Sequence, residues 1–343
     1  MAGDLQGREP QDFANRQARN RRESAGIVLL FILFFLAVGL SVDYLYLDAF
    51  TPSGPPFAIA TVVSLILATG ITLTSYYQGS ELILRSLGAE GLDLQLPEHR
   101  ELHNVVTEMA LASGCPMPKI YVIFDPAPNA FATGRDEQNA SVCVTTGLLT
   151  LLNREETQGV IAHELAHVRD DDILLMTLVS ILLGGIALLS DWAQRSFNVS
   201  RSRQGAGGKS VLLVIPALLL ILFSPLISRL LAMAVSRQRE YLADATAVEY
   251  TRNPLGLAKA LERIRDAAMP FQLASRGTAH LFFVNPLRRS VDDREGRLAD
   301  LLSTHPPIAR RILLLYQMGG LPGGSRVEGI NDQGKMQKAK LKM

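Results

Sequence analysis

Residues 161–172 read IAHELAHVRDDD, with His163 and His167 four positions apart, Glu164 beside the first histidine and three aspartates after the second. On a helix, residues four apart leave one face about 6 Å from each other, so two imidazoles can reach one cation at roughly 2.0–2.1 Å each. Glu164 points to the same side, where it can take a proton from a water held at that cation. Two imidazoles leave a catalytic zinc site one protein ligand short. The sequence offers Glu240 in RQREYLADA, with Asp244 four positions further along the same helical face. Glu240 would bind the ion, and Asp244 would accept a hydrogen bond from the second nitrogen of a ligating imidazole, His163, fixing its tautomer. Taken alone, EYLAD is also what an ordinary exposed helix carries.

The elements that must position these residues can be read around them. Asn153 with Glu156 three positions on forms a capping box, so the histidines start from a helix whose buried face is marked by Val160, Ile161 and Leu165. Upstream, apolar spacing from Leu102 predicts a helix that stops at Gly114, and KIYVIFD and ASVCVTT predict two short strands around PAPNAFATGRDEQN. Downstream, RQREYLADATAVEY and GLAKALERIRDAAM predict two helices broken at TRNP, then a looser segment through HLFFVNPL and a last helix over Ile308 to Tyr316. Cys115 and Cys143 show no CxxC spacing and are expected as small core residues. His99 and His103 are also four apart, but HRELH has no glutamate after its first histidine, so both are expected on the surface, and Asp170 to Asp172 are expected to be solvated.

The chain of 343 residues has a net charge of +1 and a mean hydropathy of +0.18. Near-balanced charge implies no nucleic-acid partner. The apolar residues concentrate in four uncharged stretches, Ala25 to Val42, Phe57 to Tyr77, Ile173 to Ser190 and Val211 to Ser228, each about long enough to cross a hydrocarbon core of roughly 30 Å. Buried core helices are the alternative for some of them, and Pro216 and Pro225 interrupt the last. Arg8, Arg16, Arg19, Arg21 and Arg22 precede the first stretch, whereas only Asp43 and Asp48 carry charge before the second, which places the N-terminus in the cytoplasm. Arg195, Arg201, Arg203 and Lys209 lie between the last two stretches and oppose two simple crossings, so these segments read as either spanning or re-entrant. Either way His167 and Glu240 return to one side of the membrane.

From Leu87 to Met318 the chain resembles the HtpX-like membrane zinc metallopeptidases, relatives of the CAAX prenyl endoprotease. The resemblance is carried by DPAPNAFATGR (125–135), VTTGLL (144–149), HELAHVRDDD (163–172), REYLADA (239–245), HLFFVNPL (280–287) and STHPPIARRI (303–312), in the family's order. It implies one zinc per chain on His163, His167 and Glu240, with Glu164 as general base and Asp244 supporting a ligand. It further implies that Asn129, Ala130 and Phe131 pair with extended substrate backbone. His305 and Arg311 match a C-terminal motif, implying oxyanion stabilisation and support of the metal site. On the residues alone, NAFATG is equally a turn and His305 equally a helix-entry residue.

The expectation is therefore a mainly helical α+β integral membrane protein with about four membrane helices, and a gluzincin-type zinc protease domain carrying a small β-sheet. Residues 1–24 form a basic cytoplasmic arm and 25–80 a transmembrane hairpin. The protease domain comes in two parts, 81–172 and 236–318, around membrane segments in 173–235, and 319–343 form a disordered tail. The expected partners are the lipid bilayer and membrane-protein or unfolded polypeptide substrates, met at a cytoplasm-facing site in a bacterial inner membrane, in quality control of misfolded proteins. Processing of a defined or lipidated substrate and a non-catalytic client-holding scaffold are the alternatives.

Overall fold

The computed structural model describes residues 10–186, apart from 48, 50, 53 and 56, together with 237–267, 281–284 and 306–321. The expected fourth membrane segment, His305 and the tail after 321 lie outside them.

Helix α1, Pro10–Tyr46, runs unbroken from the basic arm into the first apolar stretch. Alanine, arginine, glutamine and glutamate dominate residues 14–23, all strong helix formers, and no proline follows Pro10 within the helix. Helix α2, Ile59–Ser86, folds back along α1. The two axes come close at Gly39, where a Cβ would stand 2.5 Å from the Cα of Thr61. Ala58 gives α2 no side-chain cap; Asp43 of α1 supplies it instead, accepting from Ala60 N at 3.0 Å, Thr61 N at 2.7 Å and Thr61 Oγ1 at 2.6 Å.

The sheet holds β1 (Glu90–Gly91), β2 (Lys119–Ile123), β3 (Ala130–Gly134) and β4 (Ala140–Thr145) in the order β1-β2-β4-β3, with β2 parallel to β4 and the two outer strands antiparallel to their neighbours. Both predicted strands are present, and NAFATG adds an edge strand beside them. Helix α3 (Pro97–Ser113) ends at Gly114, whose φ of 70° is the left-handed cap that glycine takes without strain. The short α4 (Thr146–Leu151) links the sheet to α5 (Arg154–Arg169), which opens on the expected capping box between Asn153 and Glu156.

Helix α5 has no solvent face. From Glu156 to Val168 every residue but Gln158 is buried, because the sheet, α3, α7 (Arg237–Thr251) and α8 (Pro254–Ala267) surround it. The expectation of one buried stripe was too narrow. At Gly159 the fit against α8 is tight enough that a Cβ would meet Leu257 Cα at 2.9 Å. Helix α9 (Ile308–Met318) closes the core with Ile312 and Leu315. Helix α6 (Asp172–Ile186), the described part of the third apolar stretch, packs Leu175, Val179 and Leu182 with Phe31, Phe35 and Ala68 of the α1–α2 hairpin in a core of its own. Cys115 and Cys143 are buried and free.

Candidate metal centre

The single turn between the histidines of α5 brings their Nε2 atoms to 3.2 Å of each other. Helix α7 enters alongside and places Glu240 Oε2 at 3.7 Å from His163 Nε2, and Oε1 at 3.6 Å from His167 Nε2. Three atoms bound to one zinc at about 2.0–2.1 Å with tetrahedral angles stand about 3.3 Å apart. The spacing and the nitrogen–nitrogen–carboxylate donor set therefore fit zinc. Among the described residues, this trio is also the group of three with ligand atoms within 4.8 Å of one another.

Each imidazole turns its other nitrogen to a carboxylate. Asp244 Oδ1 is 3.0 Å from His163 Nδ1, as the i, i+4 spacing from Glu240 predicted. Asp172 Oδ2 is 3.1 Å from His167 Nδ1. This second relationship overturns the expectation that Asp170 to Asp172 are solvated, for all three are buried. The cause is a tight turn: Asp170 caps α5, Asp171 takes φ 58°, and α6 begins at Asp172, so the chain reverses under His167. A left-handed aspartate was the only local signal, and aspartates visit that conformation too seldom to read it from sequence. His99 is buried too, its Nδ1 accepting from Asp93 N at 3.0 Å, away from the site.

Arg311 of α9 reaches the centre from the far side. It binds Asp244 with two parallel bonds, donates to the Phe283 carbonyl at 3.1 Å and stands 3.3 Å from Glu240 Oε2. The guanidinium also lies over the Phe283 ring, which meets the His163 ring edge-on at 4.9 Å. Burial would raise the Asp244 carboxyl, but the Arg311 charge and the hydrogen bonds hold it below the ordinary range.

The same burial separates the three titrating groups of α5. It drives His163 down to about 4, against the pull of the Asp244 hydrogen bond. For His167 burial works in the same direction, yet the Asp172 hydrogen bond with the charges of Glu240, Asp172 and Glu164 outweighs it and raises the ring to about 9. Glu164 is pushed up to about 7 by burial, with His167 drawing it down and Glu240 pushing it up. A carboxyl near 7 is suited to accept and return a proton at neutral pH. The Ala132 backbone N–H donates to it, which ties Glu164 to the outer edge of β3.

That edge is where Asn129, Ala130 and Phe131 were expected to take substrate. Thr145 N donates to Asn129 O, so by antiparallel alternation Phe131 also faces β4, while Ala130, Ala132 and Gly134 face outward. Segment 281–284 lies there: Phe283 N donates to Ala130 O at 2.8 Å, and the Asn129 side chain bonds both Val284 N and Val284 O. Phe131 packs into the core against Phe282. Ala132, absent from the expectation, is the outward residue beside Glu164.

The chain is similar to proteins already known. The model of peptidase family M48 matches residues 97–318. A "Protease HtpX homolog" of Caldanaerobacter subterraneus subsp. tengcongensis is 43% identical over 88% of this chain and 96% of its own length. One from Thermoanaerobacter pseudethanolicus is 42% identical over the same shares. The crystal structure of S. mikatae Ste24p shares 19% identity with a TM-score of 0.45 over 81% of this chain and 63% of that one. A family match over more than half the chain and relatives above 40% identity leave one conclusion: the chain is a metalloprotease belonging to peptidase family M48.

Proposed function

We propose that the chain is an integral membrane zinc endopeptidase whose site, on His163, His167 and Glu240, faces the cytoplasm. The observation that carries it is the set of three ligand atoms at zinc spacing with Glu164 one residue from the first. Zinc bound there supplies Lewis acidity, polarising the scissile carbonyl and acidifying a water. Glu164 takes the proton of the attacking water and delivers it to the leaving amine nitrogen. Asp244 and Asp172 hold the imidazoles in the tautomer that turns Nε2 to the ion. Arg311 keeps Asp244 ionised, and Ala130 and Ala132 offer the strand edge along which an extended peptide would pair, in place of segment 281–284.

The membrane part is supported by α1 and α2, whose apolar windows of mean hydropathy 2.8 and 1.7 are only 28% and 17% buried. Leu29 at 58% and Ile66 at 68% exposure are side chains that need an apolar solvent. With 37 residues α1 is about 55 Å long, well beyond a core of roughly 30 Å, so its basic first half stands outside the bilayer. That half touches the turn after α5, through Arg16 to Asp170 at 3.1 Å, so the arm and the site share one side. The basic residues on that side support a cytoplasmic orientation. Strand-edge recognition makes little demand on side chains, which suits a misfolded or unfolded membrane polypeptide, and quality control is the role that the family resemblance implies.

The test is paired. Wild type and Glu164→Gln, purified in detergent, are measured for zinc content and for cleavage of casein. One zinc per chain in both, with chelator-sensitive cleavage by the wild type alone, supports the assignment; absence of zinc from both after reconstitution overturns it.

A further inference from the structure

The first half of α1 does more than lie beside the catalytic turn. We propose that Asp172 orients His167 for the metal and that Asn20 of α1 holds Asp172 in place, which makes the membrane-entry helix a positioning part of the metal centre.

Asn20 is buried and has two amide protons, both used on this turn. Its Nδ2 donates at 2.7 Å to Asp172 Oδ1 and at 2.7 Å to the Asp170 carbonyl. Asp172 spends its other oxygen, Oδ2, on His167 Nδ1 at 3.1 Å. The carboxylate is thus stretched between an amide from α1 and an imidazole from α5, and Arg239 Nε of α7 braces Oδ1 at 3.4 Å. Arg239 also pairs with Glu23 of α1 and directly precedes Glu240. Two of the three ligands therefore answer to α1: His167 through Asp172, and Glu240 through its neighbour Arg239.

The geometry selects Asn20 from the other α1 contacts. Arg21 binds Asp171 at 2.9 Å and Gln17 donates to the Arg169 carbonyl at 2.8 Å, but neither touches Asp172 or a ligand. They fasten α1 to the turn without aiming the imidazole. A ligating histidine whose other nitrogen loses its carboxylate commonly loses 10- to 100-fold in metal affinity, because ring orientation and basicity are both relaxed. The two imidazoles of the metal centre have equivalent supports, Asp244 held by Arg311 for His163 and Asp172 held by Asn20 for His167.

The inference rests on the zinc-centre reading, and the experiment separates the two. Full-length protein in detergent is stripped of metal, and zinc affinity is measured by competition with a chromophoric chelator, with the d–d spectrum of the cobalt-loaded form as a second readout. The variants are Asp172→Asn, which keeps shape, Asn20→Leu, which removes the donors at similar size, Gln17→Ala/Arg21→Ala as the packing control, and Glu240→Gln as the ligand control. Expected are a loss on the order of 10-fold or more for Asp172→Asn, about 3- to 10-fold for Asn20→Leu with a shifted cobalt spectrum, and wild-type affinity for the packing control. Wild-type affinity in Asp172→Asn and Asn20→Leu, with Glu240→Gln weakened, overturns this inference and leaves the metal centre standing. Equal loss in Asn20→Leu and the packing control assigns the effect to general docking and overturns the role of Asn20. Unchanged affinity in Glu240→Gln removes the metal centre, and this inference with it.

Discussion

Arg311 grips Asp244 by two parallel hydrogen bonds, Nε to Oδ2 at 2.8 Å and Nη2 to Oδ1 at 2.7 Å, with both side chains out of contact with water. Removing one partner of such a buried pair strands the other charge, which costs about 3–5 kcal/mol. Arg311→Met is expected to destabilise the protein by that amount. The double variant with Asp244→Asn should lose less than the sum of the two single changes, by about 1–3 kcal/mol, since each single change already breaks the pair. Denaturant titration of the four proteins in detergent measures the coupling, and strict additivity would contradict the paired geometry.

Zinc binding near pH 7 should release at least one proton, chiefly from His167, with a further fraction of up to about one half from Glu164. The His167 ring is held up at about 9 and enters the reaction charged, whereas His163, driven to about 4, enters neutral. Ligation requires both neutral, so affinity rises with pH between about 7 and 9 and levels off above. Calorimetry in buffers of different ionisation enthalpy counts the proton; a count of zero would reject the assignment.

Glu164 must be ionised to act as a base, so kcat/KM should fall tenfold per pH unit as pH drops below its working pKa. Burial sets that group at about 7 in the metal-free site, and the positive charge of bound zinc lowers it further. The acid limb of the casein profile is therefore expected below pH 7. Glu164→Gln should lack the limb and lose on the order of 10²- to 10⁴-fold in rate.

Gly159→Ala should destabilise the protein by about 1–3 kcal/mol, because the new Cβ meets Leu257 backbone atoms at 2.9 Å that no side-chain rotation can move. Since Gly159 lies one turn before His163, zinc affinity should fall with it. A melting temperature equal to wild type would show that α8 yields freely.

The parts of the centre that were legible are those fixed by local chemistry. The capping box at Asn153, the HExxH turn and the four-residue step from Glu240 to Asp244 each follow from helix geometry over a few residues. Asp172 was passed over because its meaning depends on a reversal at Asp171 and on Asn20, 152 positions away. The same distance hid the docking of the arm, whose polar residues look solvated until the turn after α5 is placed against them. The strand-edge expectation named Phe131, yet only the register with β4 decides which backbone groups face outward, and that register is a long-range fact.

The α1–α2 connection has a consequence for biogenesis. The first amides of α2 are capped by Asp43, a residue of the preceding helix, so α2 has no complete N-terminus until α1 is seated beside it. A segment that would enter lipid with bare amides is costly to insert alone. The two helices are thus expected to insert as one unit, and substitutions at Asp43 are expected to reduce the yield of assembled protein while leaving each assembled molecule as active as before.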